Sequence, residues 1–203
     1  MAYELSTLNE RKQKRREGII RGAIVVIGQK GYNRTKIIDI AREANVADGT
    51  IYLYFDNKDD LLIKVFDETL EKRLNQLKEQ IEPIEDKLER LDKFLLLHTD
   101  IYKEHPEELR FFALEARQSP EFYNRYPDFS PFSEYKKYVL ELCKDAINSQ
   151  KVRKLAPEVL ANILLGTLEY NLVSWATGNL KLSIKNVIKQ SIDIVHNGIV
   201  LDK

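Results

Sequence analysis

The chain has 203 residues with 32 Lys+Arg against 32 Asp+Glu, a formal charge of zero, and only eight Gly and six Pro. That length holds a sizeable core as one large domain, or as a small domain joined to a larger one, and so few Gly and Pro favour long helices over a turn-dense β fold. A single Cys, no apolar run near the roughly 18 residues of a membrane span, and no apolar stretch ahead of a small-residue cleavage site argue against a disulfide-framework, membrane-spanning or secreted protein, so a cytoplasmic one is expected.

The first predicted element is a helix over 10–29, with Ile19, Ile20, Ala23, Ile24 and Ile27 at helical spacing. It is strongly basic: from Asn9 to Lys36, nine basic residues meet only Glu10 and Glu17. From Asn9 to Lys64, twelve basic residues against eight acidic ones leave +4, balanced by −4 in the rest of the chain. A basic end on a neutral protein suits contact with nucleic acid, because Lys and Arg displace counterions from phosphates; a solvated helix face gives the same count. Lys12, Lys14, Arg15 and Arg16 read either as an arm on phosphates or the minor groove or as a disordered tail.

Gly31 stops this helix as a left-handed cap, and Thr35 is an expected N-cap for a short helix carrying Ile37, Ile40, Ala41 and Ala44. Asn45 tolerates the left-handed conformation that ends it, and a second short helix follows over 47–55. Asp56 and Asn57 then cap a helix over 58–81. Two short helices joined by a tight turn after a basic helix make a helix-turn-helix pattern. Ile40, Ala41, Ala44, Val46, Ile51 and Phe55 are its expected core.

Beyond Pro83 the chain stays helical. Leu88, Leu91, Leu95 and His98 keep helical spacing up to Pro106, and further helices are expected over 107–118, 134–150, 157–177 and 183–200. Residues 119–133, with three prolines and five aromatic residues, read as an aromatic loop with room for a helical turn. The fold class is therefore all-α, with about nine helices. The expected division is a helix-turn-helix domain over 9–57 and a second domain over 58–203.

The stretch Gly31-Tyr32, Thr35, Asp39-Ile40-Ala41, Ala44-Asn45-Val46, Gly49-Thr50-Ile51-Tyr52, Tyr54-Phe55, Asn57-Lys58 and Leu61 resembles the DNA-binding domain of TetR-family repressors. The match covers about a quarter of the chain. The resemblance implies a homodimeric, ligand-responsive repressor on double-stranded operator DNA, with a variable helical domain for effector binding and dimerisation. Ile38 departs from the family, many of whose members carry an Arg there that reads a base.

The candidate DNA-contacting residues are Thr35, Lys36, Ala47, Asp48, Gly49, Thr50, Tyr52, Tyr54 and Lys58. A recognition helix lies in the major groove with its N-terminal residues against base edges. Gly49 allows close approach to the DNA backbone, Thr50 offers a hydroxyl and a methyl, and Tyr52 and Tyr54 can reach phosphates. Asp48 reads as a contact to cytosine N4 or as a cap. Lys58 adds its charge to the free N–H groups of a helix N-terminus.

Ala47 to Phe55, Leu114 to Ser119, and Gly166-Thr167-Leu168-Glu169 with Ser174-Trp175 further look like the FadR-type branch, whose repressors control fatty-acid degradation and leave DNA when long-chain acyl-CoA binds. The alternative is a repressor of multidrug efflux answering another hydrophobic effector. Candidate effector contacts are Phe94, Leu97, His98, Ile101, Phe111, Phe112, Arg117, Phe122, Tyr138, Leu142, Leu172 and Trp175, although apolar residues at helical spacing usually form core, His98 reads first as a satisfied core histidine, and Arg117 reads equally as the partner of Glu115 or another acid. The last two helices, presenting Leu160, Ile163, Leu164, Leu168, Leu172, Ile184, Ile188, Ile192 and Val195, are the expected dimer interface.

No phosphate-binding glycine loop or His-Glu-x-x-His pair occurs, and His98, His105 and His196 lie in separate segments. With one Cys, a zinc site is not expected, and Cys143 reads as buried. No nucleophile, base and orienting group can be assembled, so the sequence predicts neither an enzyme nor a resident cofactor.

Overall fold

Every apolar period read from the sequence is a helix in the computed structural model, which describes residues 2–115 and 117–199. In chain order the helices are α1 (Ala2–Lys30), α2 (Ile37–Glu43), α3 (Asp48–Ile51), α4 (Lys58–Ile81), α5 (Lys87–Glu104), α6 (Pro106–Glu115), α7 (Pro120–Arg125), α8 (Ser133–Asn148), α9 (Pro157–Ala176) and α10 (Ile184–Ile199). Among the described residues there is no β-strand. The helix beyond the expected nine is the short α7, in the aromatic stretch where the sequence left room for a helical turn. Ser119 caps it by accepting the Phe122 N–H at 3.2 Å, and Pro120 takes the first position, where its missing N–H costs nothing.

Backbone chemistry sets the other boundaries. Gly31 adopts φ 78° and its N–H closes onto the Ile27 carbonyl at 2.8 Å; Asn45 ends α2 at φ 52°. The N-cap of α2 is Lys36 and not Thr35. The Lys36 backbone N–H donates to the Asp39 carboxylate at 3.2 Å, and that bond, followed by Lys30, holds Asp39 below the usual carboxylate range. Helix α3 is shorter than the expected 47–55 because the N–H groups of Leu53, Tyr54 and Phe55 turn back onto Thr50 and Ile51. At the start of α4, Asn57 Oδ1 accepts the Asp60 N–H at 2.9 Å and the Asp60 carboxylate accepts the Asp56 N–H at 3.0 Å, a reciprocal cap.

The chain forms two compact units, and their boundary differs from a division at residue 57. The first takes in residues up to Thr69 together with Arg110–Phe129; the second takes in Leu70–Leu109 and the residues from Ser130 onward. The reason for the first unit's extent is aromatic. Phe66 of α4 packs against Phe111, Phe112 and Phe129 with ring centroids 4.8, 5.7 and 5.5 Å apart, and Phe122 meets Phe129 at 5.2 Å. Burying each such side chain contributes about 1.5–3 kcal/mol. In the same unit, α1 and α2 pass closely at Gly22, where a Cβ would lie 3.1 Å from the Ala44 nitrogen.

In the second unit α5 lies against α8, α9 and α10, burying Leu91, Phe94, Leu95, Leu160, Leu164, Leu168, Ile184 and Ile188. Arg73 of α4 donates to both carboxylate oxygens of Glu108 of α6, at 2.7 and 2.6 Å, within the interior. Cys143 is fully buried as expected, and burial pushes its thiol up to about 12, which makes it inert at neutral pH.

Candidate nucleic-acid interface and effector region

The helix-turn-helix separates inward from outward residues sharply. Ile40, Ala41, Ile51 and Phe55 are buried as expected, with Ala44 and Val46 half-buried. Outward stand Lys36, Ala47, Asp48 and Gly49, all exposed, and Thr50 and Tyr54, half-buried. Tyr52 is 57% exposed, Leu53 80% and Ile38 45%. Leu53 was not among the expected contacts; its place between two aromatic residues that neighbour buried Ile51 and Phe55 is the signal for it.

Gly49 sits in a helix with nothing within 4 Å of the point where a Cβ would stand. The fold therefore does not require glycine at this position. Asp48 occupies the first turn of α3, but the N-cap is Ala47, so the capping alternative for Asp48 falls.

Two expected contacts are corrected. Thr35 is 2% exposed and its hydroxyl donates to the Gly31 carbonyl at 2.9 Å, so it fastens the α1–α2 turn and cannot reach a phosphate. Lys58 lays its ammonium over the Tyr32 ring at 4.1 Å, and burial lowers its pKa. The first turn of α4 also carries Asp59 and Asp60, so the expected anion site at this helix end is opposed by two carboxylates. Tyr32, whose role sequence reasoning missed, organises this corner. Its hydroxyl donates to Asp59, which also meets Arg125 at 3.0 Å, and its backbone N–H donates to the Glu115 carboxylate at 2.8 Å.

The basic residues of α1 lie on a helix and not in a disordered tail: Arg11, Lys12, Lys14 and Arg15 are exposed. Arg16 is used internally, pairing with Glu68 and lying 5.1 Å from the centre of the Phe55 ring.

The expected effector residues fall into two groups. Phe111, Phe112 and Phe122 are the aromatic core of the first unit, and Arg117 of that unit is exposed. In the second unit Phe94, Leu97, His98 and Ile101 of α5 are buried, as are Leu142 of α8 and Leu172 of α9, while Tyr138 and Trp175 are half-buried. Phe94 stacks near Tyr135, Tyr138 and His98, at 5.6, 5.9 and 4.8 Å. Lys78 Nζ lies 4.6 Å from the centre of the Tyr138 ring.

Of the expected interface residues, Leu160, Leu164, Leu168, Leu172, Ile184 and Ile188 are buried within their own unit. The outward apolar residues of α9 and α10 are Val159, Ile163, Tyr170 and Ile194, with Ile192 and Val195 half-buried. A small crevice between α5, α9 and α10 is lined by Leu95, Leu164, Thr167, Leu168, Ile188, Ser191, Ile192 and Val195. Among the described residues no helix is long and apolar enough to cross a membrane, and no group of three or more His, Cys, Asp or Glu is placed to hold a metal ion.

Comparison with known proteins places these features. Residues 19–65 match the family model for bacterial regulatory proteins of the tetR family. The fatty acid metabolism regulator protein of Bacillus subtilis is 27% identical over 192 residues, which span 93% of this chain and 98% of that protein. The solved structure of the fatty acid degradation regulator FadR from Bacillus halodurans superposes with a TM-score of 0.81 at 26% identity, covering 90% of this chain and 98% of that one. FadR from Bacillus subtilis, solved in complex with stearoyl-CoA, gives a TM-score of 0.80 at 26% identity over the same shares.

Proposed function

From the premise that the chain belongs to the TetR family of bacterial regulatory proteins, most like its FadR-type branch, we propose that it is a cytoplasmic, homodimeric repressor of fatty-acid metabolism genes, released from a palindromic operator by long-chain acyl-CoA. The observation that carries the DNA half is the outward face of the helix-turn-helix: Tyr52 and Leu53 exposed beside an open Gly49, over a buried Ile51 and Phe55. Lys36, Ala47, Asp48, Gly49, Thr50, Tyr52 and Tyr54 are the proposed contacts, with Arg11, Lys12, Lys14 and Arg15 supplying positive charge. Exposed apolar Ile38 and Leu53 suit thymine methyl groups in the major groove.

Dimerisation through α9 and α10 is supported by Val159, Ile163, Tyr170 and Ile194, four large apolar side chains exposed on those two helices. A two-fold dimer sets its recognition helices one helical turn, roughly 34–36 Å, apart or at a multiple of it, and so reads a palindrome. The effector half rests on the similarity across nearly the whole chain to FadR proteins, one of them solved with stearoyl-CoA, and on the apolar and aromatic lining of α5, α8 and α9. An effector that lowers operator affinity a hundredfold must favour the released state by about 2.7 kcal/mol. The protein acts by binding alone, with no catalytic step.

Fluorescence-anisotropy titration onto DNA from upstream of its own gene, with and without oleoyl-CoA, tests both halves. Tight, salt-dependent binding abolished by oleoyl-CoA is the expected result. Binding indifferent to oleoyl-CoA sinks the acyl-CoA assignment and keeps the repressor; no salt-sensitive binding to that or any genomic fragment sinks the repressor.

A further inference from the structure

Among the described residues, two buried side-chain polar atoms have no hydrogen-bond partner: His98 Nε2 and Tyr135 Oη. They belong to the same place. His98 is on α5, Tyr135 is in the first turn of α8, and their rings meet edge to face with centroids 5.5 Å apart. Phe94 packs on both, 4.8 Å from the His98 ring and 5.6 Å from the Tyr135 ring, and Tyr102 closes the far side of His98 at 6.3 Å.

The chemistry of the pair is fixed by what surrounds it. His98 is 3% exposed, and its Nδ1 lies 2.7 Å from the Phe94 carbonyl oxygen, which can only accept; the Nδ1 proton is therefore in place. Burial holds the ring's pKa down to about 4, so at neutral pH the imidazole is uncharged and Nε2 is a bare acceptor. Tyr135 Oη has one proton to donate and can also accept. A buried polar atom without a partner is costly, and native structures keep few of them, so the bare acceptor of buried His98 beside the enclosed hydroxyl of half-buried Tyr135 points to a ligand.

Resting on the acyl-CoA reading above, we propose that His98 and Tyr135 are the polar anchor of the effector site: Tyr135 Oη donates to the thioester carbonyl, and His98 Nε2 accepts the nearest amide N–H of the pantetheine arm. A group that only accepts, such as an ionised carboxylate, leaves Nε2 unmatched, so the pair selects an effector that carries a hydrogen-bond donor next to its alkyl chain.

The test uses the full-length protein and three variants. His98→Asn keeps a donor for the Phe94 carbonyl and removes the Nε2 acceptor; His98→Gln restores an acceptor near the Nε2 position; Tyr135→Phe removes only the hydroxyl. In operator-release titrations with oleoyl-CoA, each variant referred to its own ligand-free operator affinity, H98N and Y135F raise the half-maximal concentration about tenfold, and H98Q recovers a good part of the loss. Unchanged half-maximal concentrations in H98N and Y135F overturn the anchor.

Thermal unfolding without ligand judges the pair independently of which effector is correct. Loss of an unpartnered hydroxyl leaves the Tm of Y135F unchanged or raised. A drop of about 2–4 °C, the shift expected for losing roughly 1 kcal/mol in a chain this size, shows the hydroxyl to be part of the fold and also overturns the anchor. If wild-type protein ignores oleoyl-CoA while Y135F keeps its Tm, the acyl-CoA assignment fails alone and the anchor stands for another effector with the same donor and acceptor.

Discussion

The Glu115 carboxylate, at the last residue of α6, accepts the backbone N–H of Tyr32 at 2.8 Å and thereby ties α6 to the turn between α1 and α2 across 83 positions of sequence. Both partners are buried, and Gln118 donates to the other carboxylate oxygen at 2.9 Å. Glu115→Ala removes the acceptor and leaves a buried N–H unsatisfied, at a cost of about 1–3 kcal/mol in urea unfolding. Glu115→Gln keeps a carbonyl oxygen in place and should cost less than half as much. Equal losses in the two variants would mean that the carboxylate charge, not the hydrogen bond, fastens the turn.

Two glycines of the first unit predict opposite behaviour. At Gly22 an added Cβ meets the backbone of the opposing helix, 3.1 Å from Ala44 N and 3.3 Å from Ile40 O, so Gly22→Ala must push α1 and α2 apart, costing about 1–3 kcal/mol. At Gly49 the same methyl meets nothing, and alanine is the better helix former by about 1 kcal/mol, so Gly49→Ala should be neutral or stabilising. If α3 lies against DNA at Gly49, that variant nonetheless loses about tenfold in operator affinity, or 1.4 kcal/mol. Intact operator binding by Gly49→Ala would place the DNA contact elsewhere on the helix.

Exposure ranks the recognition residues. Tyr52→Phe removes a hydroxyl suited to a phosphate and should weaken binding to all sequences alike, whereas Thr50→Ala and Leu53→Ala should narrow the gap between operator and random DNA. Lys58→Ala behaves differently from a phosphate-binding lysine, because its ammonium already covers Tyr32. It should lower stability by about 0.5–1 kcal/mol with little change in the salt slope of DNA binding. Anisotropy at three salt concentrations separates the two cases: a slope reduced by about one unit would restore Lys58 to the interface.

Helices, turns and the helix-turn-helix core were legible because each rests on a local signal: apolar spacing in α1, left-handed caps at Gly31 and Asn45, and a side-chain cap at Asn57. What escaped the sequence was long-range. Thr35 carries the right chemistry for an N-cap, but its hydroxyl is claimed by Gly31, and Asp39 caps α2 through the Lys36 N–H instead. Leu160, Leu164 and Leu168 share the spacing of an interface seam, yet they are buried within their own unit, beside residues of α5 and α10. Phe111, Phe112 and Phe122 read as effector contacts because an aromatic run has the same composition in a pocket and in a core; in the structure Phe111 and Phe112 pack on Phe66, and Phe122 on Phe129. Tyr135 carried no local signal, since an unpartnered hydroxyl is defined by what folds around it.

His98 also makes stability depend on pH in a way that can be signed. The unfolded chain takes up the imidazole proton near the ordinary value of about 6.5, whereas burial lets the folded chain take it up only near 4. Between those values the unfolded state binds more protons, so acid favours unfolding: the contribution is fully present above pH 6.5 and is lost as pH falls toward 4. With a shift of that size, going from pH 7 to pH 5 removes about 2 kcal/mol. Other groups titrate over the same range, so the informative quantity is the difference between wild type and His98→Asn, which cannot take up this proton. Urea unfolding at pH 7 and pH 5 should show a loss smaller in the variant by about 2 kcal/mol. Equal losses in both proteins would mean that the imidazole is charged or solvated in the folded state, which would also remove the bare Nε2 acceptor that the effector anchor requires.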